Sequence, residues 1–403
     1  MSTLITNIAE LMTQDPEHRV LKDAAVVIEG ERISWIGQAS GAPAADDAVD
    51  AGRRAVLPGW VDSHTHLIFA GDRTAEFEAR MAGEDYSAGG IAVTTEATRT
   101  TGDYDLTRLA QGRVAEAVSQ GTTYLETKTG YGLDVEQETR SARIASTVAD
   151  EVTYLGAHLV PAGMDAEEYA KLVCGPMLDA VRPYARWADV FCERGAFSEE
   201  QSRSVLQACR DAGLGLRVHG NQLGHGAGVR LAVEFGAASV DHVNYLSEQD
   251  IASLAAGWTG WDAAAGTGRR GTVATCLPAC DLSTRQPLAP GRQLLDAGVP
   301  LALASNCNPG TSYTSSMAFC VTTAVLQMGL SVHEAVRAAT YGGALALQRE
   351  SGNDVDGERA VGSIAVGHRA DLHVLNAPSA THLAYRPGMP LTHAVWRAGV
   401  RAR

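Results

Sequence analysis

The sequence lacks the features of several protein classes. It contains no stretch of about 18 uncharged apolar residues, as a membrane-spanning helix requires. Residues 1–4 do not open a basic segment followed by an apolar one, so no signal peptide is indicated. Basic residues are outnumbered: 33 Lys and Arg against 47 Asp and Glu give a net charge of −14, which disfavours nucleic-acid binding. We therefore expect a cytoplasmic protein without membrane or nucleic-acid partners.

Cysteine is scarce, and no Cys-x-x-Cys motif occurs. The number is odd and the spacing irregular, and most of the cysteines lie in apolar runs. This pattern favours reduced core thiols over a disulfide framework. The seven residues are Cys174, Cys192, Cys209, Cys276, Cys280, Cys307 and Cys320.

Both ends of the chain have the pattern of short strands. The β-branched runs and turn glycines predict strands at Ala24–Glu29, Arg32–Gly37, Val361–Gly367 and Ala370–Leu375. Two strand-rich ends around a long middle suggest one small composite β-sandwich domain, made from residues 1–55 and 356–403.

Residues 56–355 alternate apolar strands with helical stretches such as Ser198–Ala212. This alternation, together with a length of 403 residues, favours an α/β fold: a (β/α)8 TIM-like barrel of about 250 residues plus a second module. The eight expected strands are Val56–Val61, Thr123–Thr127, Val152–His158, Asp189–Cys192, Leu214–His219, Ser239–His242, Thr272–Leu277 and Pro300–Ser305.

A His-x-His pair follows the first of these strands. Because side chains alternate along a strand, His64 and His66 face the same side. Two such imidazoles can hold one metal ion, and a metal with an open position makes water nucleophilic near neutral pH. Hydrolysis is therefore the first hypothesis; the alternative is a polar strand end with two solvated histidines.

Polar residues follow seven of the eight expected strands, where barrel enzymes place their catalytic groups. Any one of these histidines could instead be a hydrogen-bonded core residue, whereas the whole set favours a site. The residues are His64, His66, Lys128, His158, Glu193, His219, His242 and Asn306.

Several motifs in combination resemble those of the imidazolonepropionases, amidohydrolase-superfamily enzymes of histidine breakdown. The resemblance extends from about Gly30 to Leu375. The motifs are Pro58–His66, Phe69–Arg73, Glu126–Gly132, Leu155–His158, Asp189–Glu193, His219–Gln222 and Asn308–Gly310.

The resemblance implies a metal-dependent hydrolase barrel with a small composite β-sandwich. The implied reaction opens the ring of 4-imidazolone-5-propanoate by hydrolysis of a cyclic amide C–N bond, giving N-formimidoyl-L-glutamate. It also implies one divalent or trivalent metal ion, zinc or iron, and a homodimer.

The resemblance further assigns roles to individual residues. Its metal ligands are His64, His66 and His219, with position 306 as the fourth. Its catalytic positions are His242, Gln222 and Asn306. Its substrate-binding positions are Arg73, Tyr86, Tyr131, His158, Gln222, Asn308, Gly310 and Thr311.

Two of these side chains have alternative interpretations. An Arg fork can pair with the substrate's propionate through two hydrogen bonds, but Arg73 could instead pair with Asp72 or Glu76. Lys128 could be a carbamylated metal ligand as in some superfamily relatives, although this branch does not resemble the two-metal members.

The chain departs from the family at position 306, where members carry aspartate. Asn306 offers a neutral carbonyl oxygen but cannot accept a proton at neutral pH. Three interpretations stay open: an engineered or accidental Asp→Asn change, a natural variant in which His242 is the base, or an impaired catalyst.

Other functions also remain open. The chain could be another amidohydrolase, such as a formimino deiminase or a hydantoinase-like cyclic amidase, or a non-catalytic small-molecule binder. The glycine-rich segment Trp258–Arg270 looks like an insertion, which we expect to form a flexible surface loop on the N-terminal face of the barrel.

Overall fold

The computed structural model describes residues 1–83, 90–262, 267–352 and 359–403. The N-terminal part forms four strands: Ser2–Met12 (β1), Val20–Glu29 (β2), Arg32–Gln38 (β3) and Asp47–Pro58 (β4). Strand β2 pairs antiparallel with β1 and β3, and β4 pairs parallel with β1. The predicted hairpin at residues 24–37 is therefore confirmed.

A sheet of eight neighbouring parallel strands forms the barrel, and each lies at one of the eight predicted positions. Backbone hydrogen bonds from His66 to Cys307 (2.9 Å) and from Asn306 to His64 (3.0 Å) join the ends of its first and last strands. The strands are Trp60–Asp62 (β5), Thr122–Lys128 (β6), Glu151–Ala157 (β7), Trp187–Cys192 (β8), Gly215–Gly220 (β9), Ser239–His242 (β10), Val273–Cys276 (β11) and Leu301–Leu303 (β12).

The C-terminal part returns to the first sheet. Strands Leu372–Leu375 (β13), Thr392–Arg397 (β14) and Val400–Arg401 (β15) extend it to seven strands, in the order β15-β14-β13-β4-β1-β2-β3. Its own apolar core includes Ile5, Val26 and Trp396. The predicted α/β architecture, a barrel plus a small β domain built from both termini, is confirmed.

Two details of the prediction at the chain ends are wrong. The segment Val361–Gly367 is not a strand, because Gly362 (φ 79°) and Gly367 (φ 90°) take left-handed conformations that interrupt an extended backbone. The predicted strand Val56–Val61 is divided at Gly59, since Val56 still pairs with Val374 in the terminal sheet.

Gly59 is the point where the chain passes from the terminal sheet into the barrel. A Cβ there would lie 2.2 Å from the Thr123 side chain, so only glycine fits the passage. The barrel therefore begins slightly later than the predicted boundary at 55/56. The other predicted boundary, 355/356, lies outside the described residues.

Helices follow the barrel strands. The predicted helix at 198–212 is confirmed as α7, with a capping box between Ser198 and Gln201. The helices are Thr74–Ala82 (α1), Ile91–Thr100 (α2), Asp103–Ser119 (α3), Val135–Val148 (α4), Ala166–Leu172 (α5), Leu178–Val181 (α6), Glu199–Asp211 (α7), Gly228–Phe235 (α8), Glu248–Gly257 (α9), Pro278–Thr284 (α10), Gly291–Asp296 (α11), Met317–Gln327 (α12), Val332–Arg337 (α13), Gly343–Ala346 (α14) and His382–Tyr385 (α15).

The predicted insertion is partly packed rather than a free loop. Trp258 is buried, and its indole N–H donates to the Thr272 carbonyl at 3.1 Å. Arg270 pairs with Glu350 and lies over the Trp261 ring. The described part of this segment precedes β11, as expected for the N-terminal face; residues 263–266 lie outside the described residues.

Two further findings concern the whole described chain. All seven cysteines are free thiols, in agreement with the absence of a disulfide framework. Among the helices of the described ranges, none is long and apolar enough to span a membrane.

Candidate metal centre and active site

Five imidazoles converge at the carboxyl ends of the barrel strands. The ring centroid of His64 lies 4.5 Å from that of His219, 5.3 Å from that of His66 and 5.8 Å from that of His242. His158 stacks on His66 with centroids 5.5 Å apart. Residues separated by up to about 180 positions in the chain thus form one cluster, as the strand ends predict.

The tightest set of possible ligand atoms differs from the expected one. Nitrogens of His64, His219 and His242 all lie within 4.8 Å of one another. In the described part of the chain, His66 does not belong to this group of three. Several buried atoms in the cluster have no hydrogen-bond partner within the described ranges: His64 Nε2, His66 Nδ1, His242 Nδ1 and Asn306 Oδ1. Orphaned imidazole nitrogens and an amide oxygen fit a divalent metal ion.

Two buried aspartates orient the ligand candidates. Asp241 Oδ2 lies 2.7 Å from His64 Nδ1, and Asp189 Oδ2 lies 2.9 Å from His219 Nδ1. A carboxylate on Nδ1 fixes the tautomer that leaves Nε2 free to bind metal. Asp241 is also 3.1 Å from Arg217 Nη2. The sequence did not reveal these two carboxylates, although Asp241 directly precedes His242 on β10.

Lys128 forms ion pairs with both aspartates. Its Nζ lies 2.8 Å from Glu126, 3.0 Å from Asp189 and 3.9 Å from Asp241, and all four side chains are fully buried. An ammonium shared by three carboxylates is an ion-pair centre, so the carbamylated-ligand alternative for Lys128 is not supported. Lys128 instead supports the residues that orient His64 and His219.

The electrostatics keep the imidazoles of His64, His66 and His242 neutral. Burial, with the charge of Lys128, lowers the pKa of His64 well below its usual value, and burial likewise lowers the pKa of His66 and His242. Burial alone would raise the pKa of Asp241, but Arg217 and His64 hold it well below the usual range. Neutral imidazoles beside ionised carboxylates are the form in which histidine binds metal.

Backbone strain is concentrated at this end of the barrel. His242 (φ 85°) and Val243 (φ 52°) take left-handed conformations that cost about 1–3 kcal/mol each in bulky residues. Asn306 (φ 52°) does so more easily, because asparagine tolerates that region. The strained turn after β10 presents the His242 ring to the cluster.

A cavity above the cluster brings together most of the predicted site residues. Ile91 and Phe191 also line it and were not anticipated. Of the other predicted residues, His64 is completely buried, Gly310 packs against Arg73, and Tyr86 lies outside the described residues. The predicted lining residues are His66, Arg73, Tyr131, His158, His219, Gln222, His242, Asn306, Asn308 and Thr311.

Arg73 pairs with Glu76 and also lines the cavity, so its role as a propionate ligand stays a prediction. Its Nε and Nη2 each donate to one carboxylate oxygen of Glu76 at 2.7 Å, which is the pairing foreseen from their spacing. The guanidinium also lines the cavity, and its other edge adjoins Gly310, where a Cβ would lie 2.2 Å from Nη1. Glycine at 310 therefore leaves space for this edge of the fork.

Asn308 organises the loop after β12. Its Nδ2 donates to the Asn306 carbonyl (2.6 Å) and to Thr311 Oγ1 (2.8 Å), while its Oδ1 accepts from the amides of Gly310 (2.9 Å) and Thr311 (2.8 Å). The amide of asparagine has two donor and two acceptor positions, and these bonds use all four. Asn308 therefore shapes the loop rather than offering its side chain to a ligand.

Glu138 plays a similar part for the loop that carries Tyr131. Its carboxylate accepts from the amides of Gly130 (3.0 Å), Gly132 (2.6 Å) and Leu133 (2.9 Å). His158 Nδ1 lies 2.8 Å from the Gly130 carbonyl in the same loop. Burial lowers the pKa of His158 to about 4, so it is neutral at pH 7.

Gln222 also lines the cavity. Its backbone amide donates to Glu193 Oε1 at 2.5 Å, and its side-chain Nε2 lies 3.8 Å from the Cys280 sulfur. The pKa of the Cys280 thiol is raised by burial and lowered in part by the neighbouring side chains of Thr311 and Asn306. Cys280 and the adjacent Asp281 were not anticipated as site residues, because none of the motifs recognised in the sequence contains them.

The fold and the site define the chain as a member of the amidohydrolase family, whose family model matches residues 191–399. An adenosine deaminase from Xanthomonas campestris with bound zinc shares the fold, with a TM-score of 0.72, 20% identity, and coverage of 99% of this chain and 92% of that chain. The donor atoms described above fit the divalent metal of this class.

Relatives with much higher sequence identity show to which branch of the amidohydrolases the chain belongs. The imidazolonepropionase of Arthrobacter sp. (strain FB24) is 87% identical over the full length of both chains. That of Paenarthrobacter aurescens (strain TC1) is 81% identical and covers 99% of this chain and 98% of the relative. The chain belongs to the imidazolonepropionase family.

Proposed function

We propose that the chain hydrolyses the cyclic amide C–N bond of 4-imidazolone-5-propanoate, giving N-formimidoyl-L-glutamate in histidine degradation. Family membership supports this reaction. The observation that carries it is the cluster of buried imidazoles below a cavity that Arg73 also lines. A cation site and a carboxylate-binding group in one cavity match the cyclic amide and the propionate of that substrate.

The residues that would hold the metal are His64, His66, His219 and Asn306, and the ion would be zinc or iron. The orphaned His64 Nε2, His66 Nδ1 and Asn306 Oδ1 support this assignment. When bound, the ion polarises the scissile carbonyl and makes water nucleophilic near neutral pH.

His242 is the proposed proton acceptor. Its imidazole is neutral because burial lowers its pKa, and its Nδ1 has no partner in the described part of the chain. The described residues that line the cavity include no carboxylate, since positions 222 and 306 carry amides. His242 takes the proton of the attacking water and returns it to the ring nitrogen as the C–N bond breaks.

The other side chains orient the substrate. The cavity edge of the Arg73 fork binds the propionate. Tyr131, in the loop that Glu138 holds, and His158, which follows β7 and bonds to the Gly130 carbonyl of that loop, contact the substrate. Gln222 cannot transfer a proton and instead donates a hydrogen bond to the ring. Asn308 fixes the backbone of Gly310 and Thr311, and thereby this side of the cavity. Tyr86 stays a predicted contact.

One observation favours a second candidate, a binder without catalysis: position 306 has no ionisable side chain. Protein loaded with one equivalent of metal should be incubated with 4-imidazolone-5-propanoate while ring opening and ammonia release are followed together. We expect ring opening without ammonia release. Ammonia release would indicate a deiminase, and binding without turnover would indicate the non-catalytic candidate. A cytoplasmic homodimer stays a prediction from the sequence.

A further inference from the structure

A second group of metal-type donors adjoins the candidate active site. Ligand atoms of His242, Cys280 and Asp281 all lie within 4.8 Å of one another, and all three residues are buried. Cys280 and Asp281 come from α10, which begins soon after barrel strand β11. The proposed reaction uses neither of them.

The carboxyl group of Asp281 is buried without a countercharge. Its side chain is 1% exposed, and neither oxygen reaches hydrogen-bond geometry with a residue of the described ranges. The neighbouring Asn244 side chain and Ala289 amide lower its pKa, but burial outweighs them and raises it to about 8. A buried carboxyl of this kind is costly unless a proton or a cation neutralises it.

The Cys280 sulfur is surrounded by donors. The Gln222 amide nitrogen approaches it at 3.8 Å, and the neighbouring side chains of Thr311 and Asn306 lower the pKa of the thiol. Donors directed at sulfur stabilise the thiolate, which is the form that binds metal. Burial nevertheless raises the pKa of this thiol to about 12, so without a cation it carries its proton at pH 7.

We propose that His242, Cys280 and Asp281 form a second divalent-cation site, separate from the centre formed by His64, His66 and His219. Sulfur, nitrogen and oxygen donors in one set suit zinc, with one position left for water. Binding releases the thiol proton and the carboxyl proton to solvent. The resulting thiolate and carboxylate balance the charge of the ion.

A consequence follows for activity, and it rests on the proposed function. An ion held by His242 occupies the imidazole that would accept the proton of water. Ring opening should therefore decrease when divalent cation exceeds one equivalent per chain.

Cobalt titration tests the site. Metal-free full-length protein is titrated with Co²⁺, unbound ion is removed, and the bound metal is counted by elemental analysis. We expect two equivalents and a near-ultraviolet thiolate-to-cobalt charge-transfer band. Cys280→Ser should bind one equivalent and lose the band. Cys276→Ser, a matched change of a buried thiol in β11, should retain both.

Other results would overturn the proposal. One equivalent without a thiolate band in the unaltered chain excludes the site, and a band that survives Cys280→Ser places the thiolate elsewhere. Asp281→Asn keeps the thiol and should weaken the second equivalent about tenfold or more; unchanged binding contradicts the three-residue site. Absence of ring opening already at one equivalent of bound metal would reject the proposed function while leaving this site intact.

Discussion

Position 306 carries an amide where the resemblance to the imidazolonepropionases implies an aspartate. The Asn306 backbone amide binds the His64 carbonyl, and its side-chain oxygen is buried without a partner among the described residues. An aspartate could occupy the same place. It would add a negative charge close to the proposed ion and a second group able to accept the proton of water.

Asn306→Asp is therefore expected to raise both metal affinity and turnover. General-base assistance typically contributes about 10²–10⁴-fold, so a gain of about tenfold or more is expected even if His242 already acts as the base. Steady-state ring opening and metal content of the purified variant check this prediction. Asn308→Asp is the control: it adds the same charge two residues away but should raise neither metal affinity nor turnover, because all hydrogen bonds of the Asn308 amide are made within the loop. If Asn306→Asp changes neither quantity, position 306 is not at the reaction centre.

Asp241 acts through His64 rather than on the substrate. Asp241→Asn keeps the shape of the side chain but removes the charge that fixes the His64 tautomer and pairs with Arg217. Loss of such a partner typically costs about 10- to 100-fold in metal affinity, and we expect a loss in that range. Competition with a chelator measures it. Affinity equal to that of the unaltered chain would show that Asp241 has no part in holding the metal.

At the scale of elements, the loop between β6 and α4 is shaped by one carboxylate. Glu138 accepts three backbone amides, and it presents Tyr131 to the cavity. Such loops position substrate, and small misplacements there cost much of the rate advantage.

Glu138→Gln should disturb this loop while leaving the barrel intact. One oxygen becomes an NH₂ group that faces backbone donors, so we expect an increase in KM of about tenfold and a lower Tm. Kinetics with 4-imidazolone-5-propanoate and thermal unfolding measure the two effects. Glu136→Gln, an exposed change on the same helix, serves as the control. Similar KM values in both variants would contradict the role of Glu138.

At the scale of the whole molecule, His373 links the terminal sheet to the barrel. It lies on β13, its ring centroid is 5.1 Å from that of Trp60 on β5, and its Nε2 is 2.9 Å from Thr392 Oγ1. Burial lowers its pKa from 6.5 to about 3. The folded protein therefore keeps His373 neutral over a pH range in which the unfolded chain binds a proton.

Stability should consequently decrease as the pH falls from about 6.5 towards 3. The unfolded state binds more protons in this range, so His373 alone contributes a slope of about 1.4 kcal/mol per pH unit. Urea unfolding at several pH values should show a shallower slope for His373→Gln. The exposed His333→Gln variant should keep the original slope. Equal slopes in all three proteins would contradict this account.

The sequence predicted residues whose position depends only on where a strand ends, but not contacts that depend on how side chains from different strands point. His64, His66, His219 and His242 were found because barrel strand ends meet at one face wherever they lie in the chain. The carboxylates that orient them were not, because whether Asp189 or Asp241 contacts an imidazole depends on side-chain directions between strands. The passage at Gly59 was missed because Val56–Val61 has one continuous apolar pattern, although two domains share it.

The most direct test of the central claim is an anomalous-diffraction map from crystals of the zinc-loaded protein. The account predicts that a strong peak, separate from any zinc held by Cys280 and Asp281, lies about 2.0–2.1 Å from a nitrogen of each of His64, His66 and His219. The His66 ring would turn to complete the set. A zinc peak bound by His64, His219 and His242 with His66 remaining apart, or no peak in the cluster, would contradict the claim.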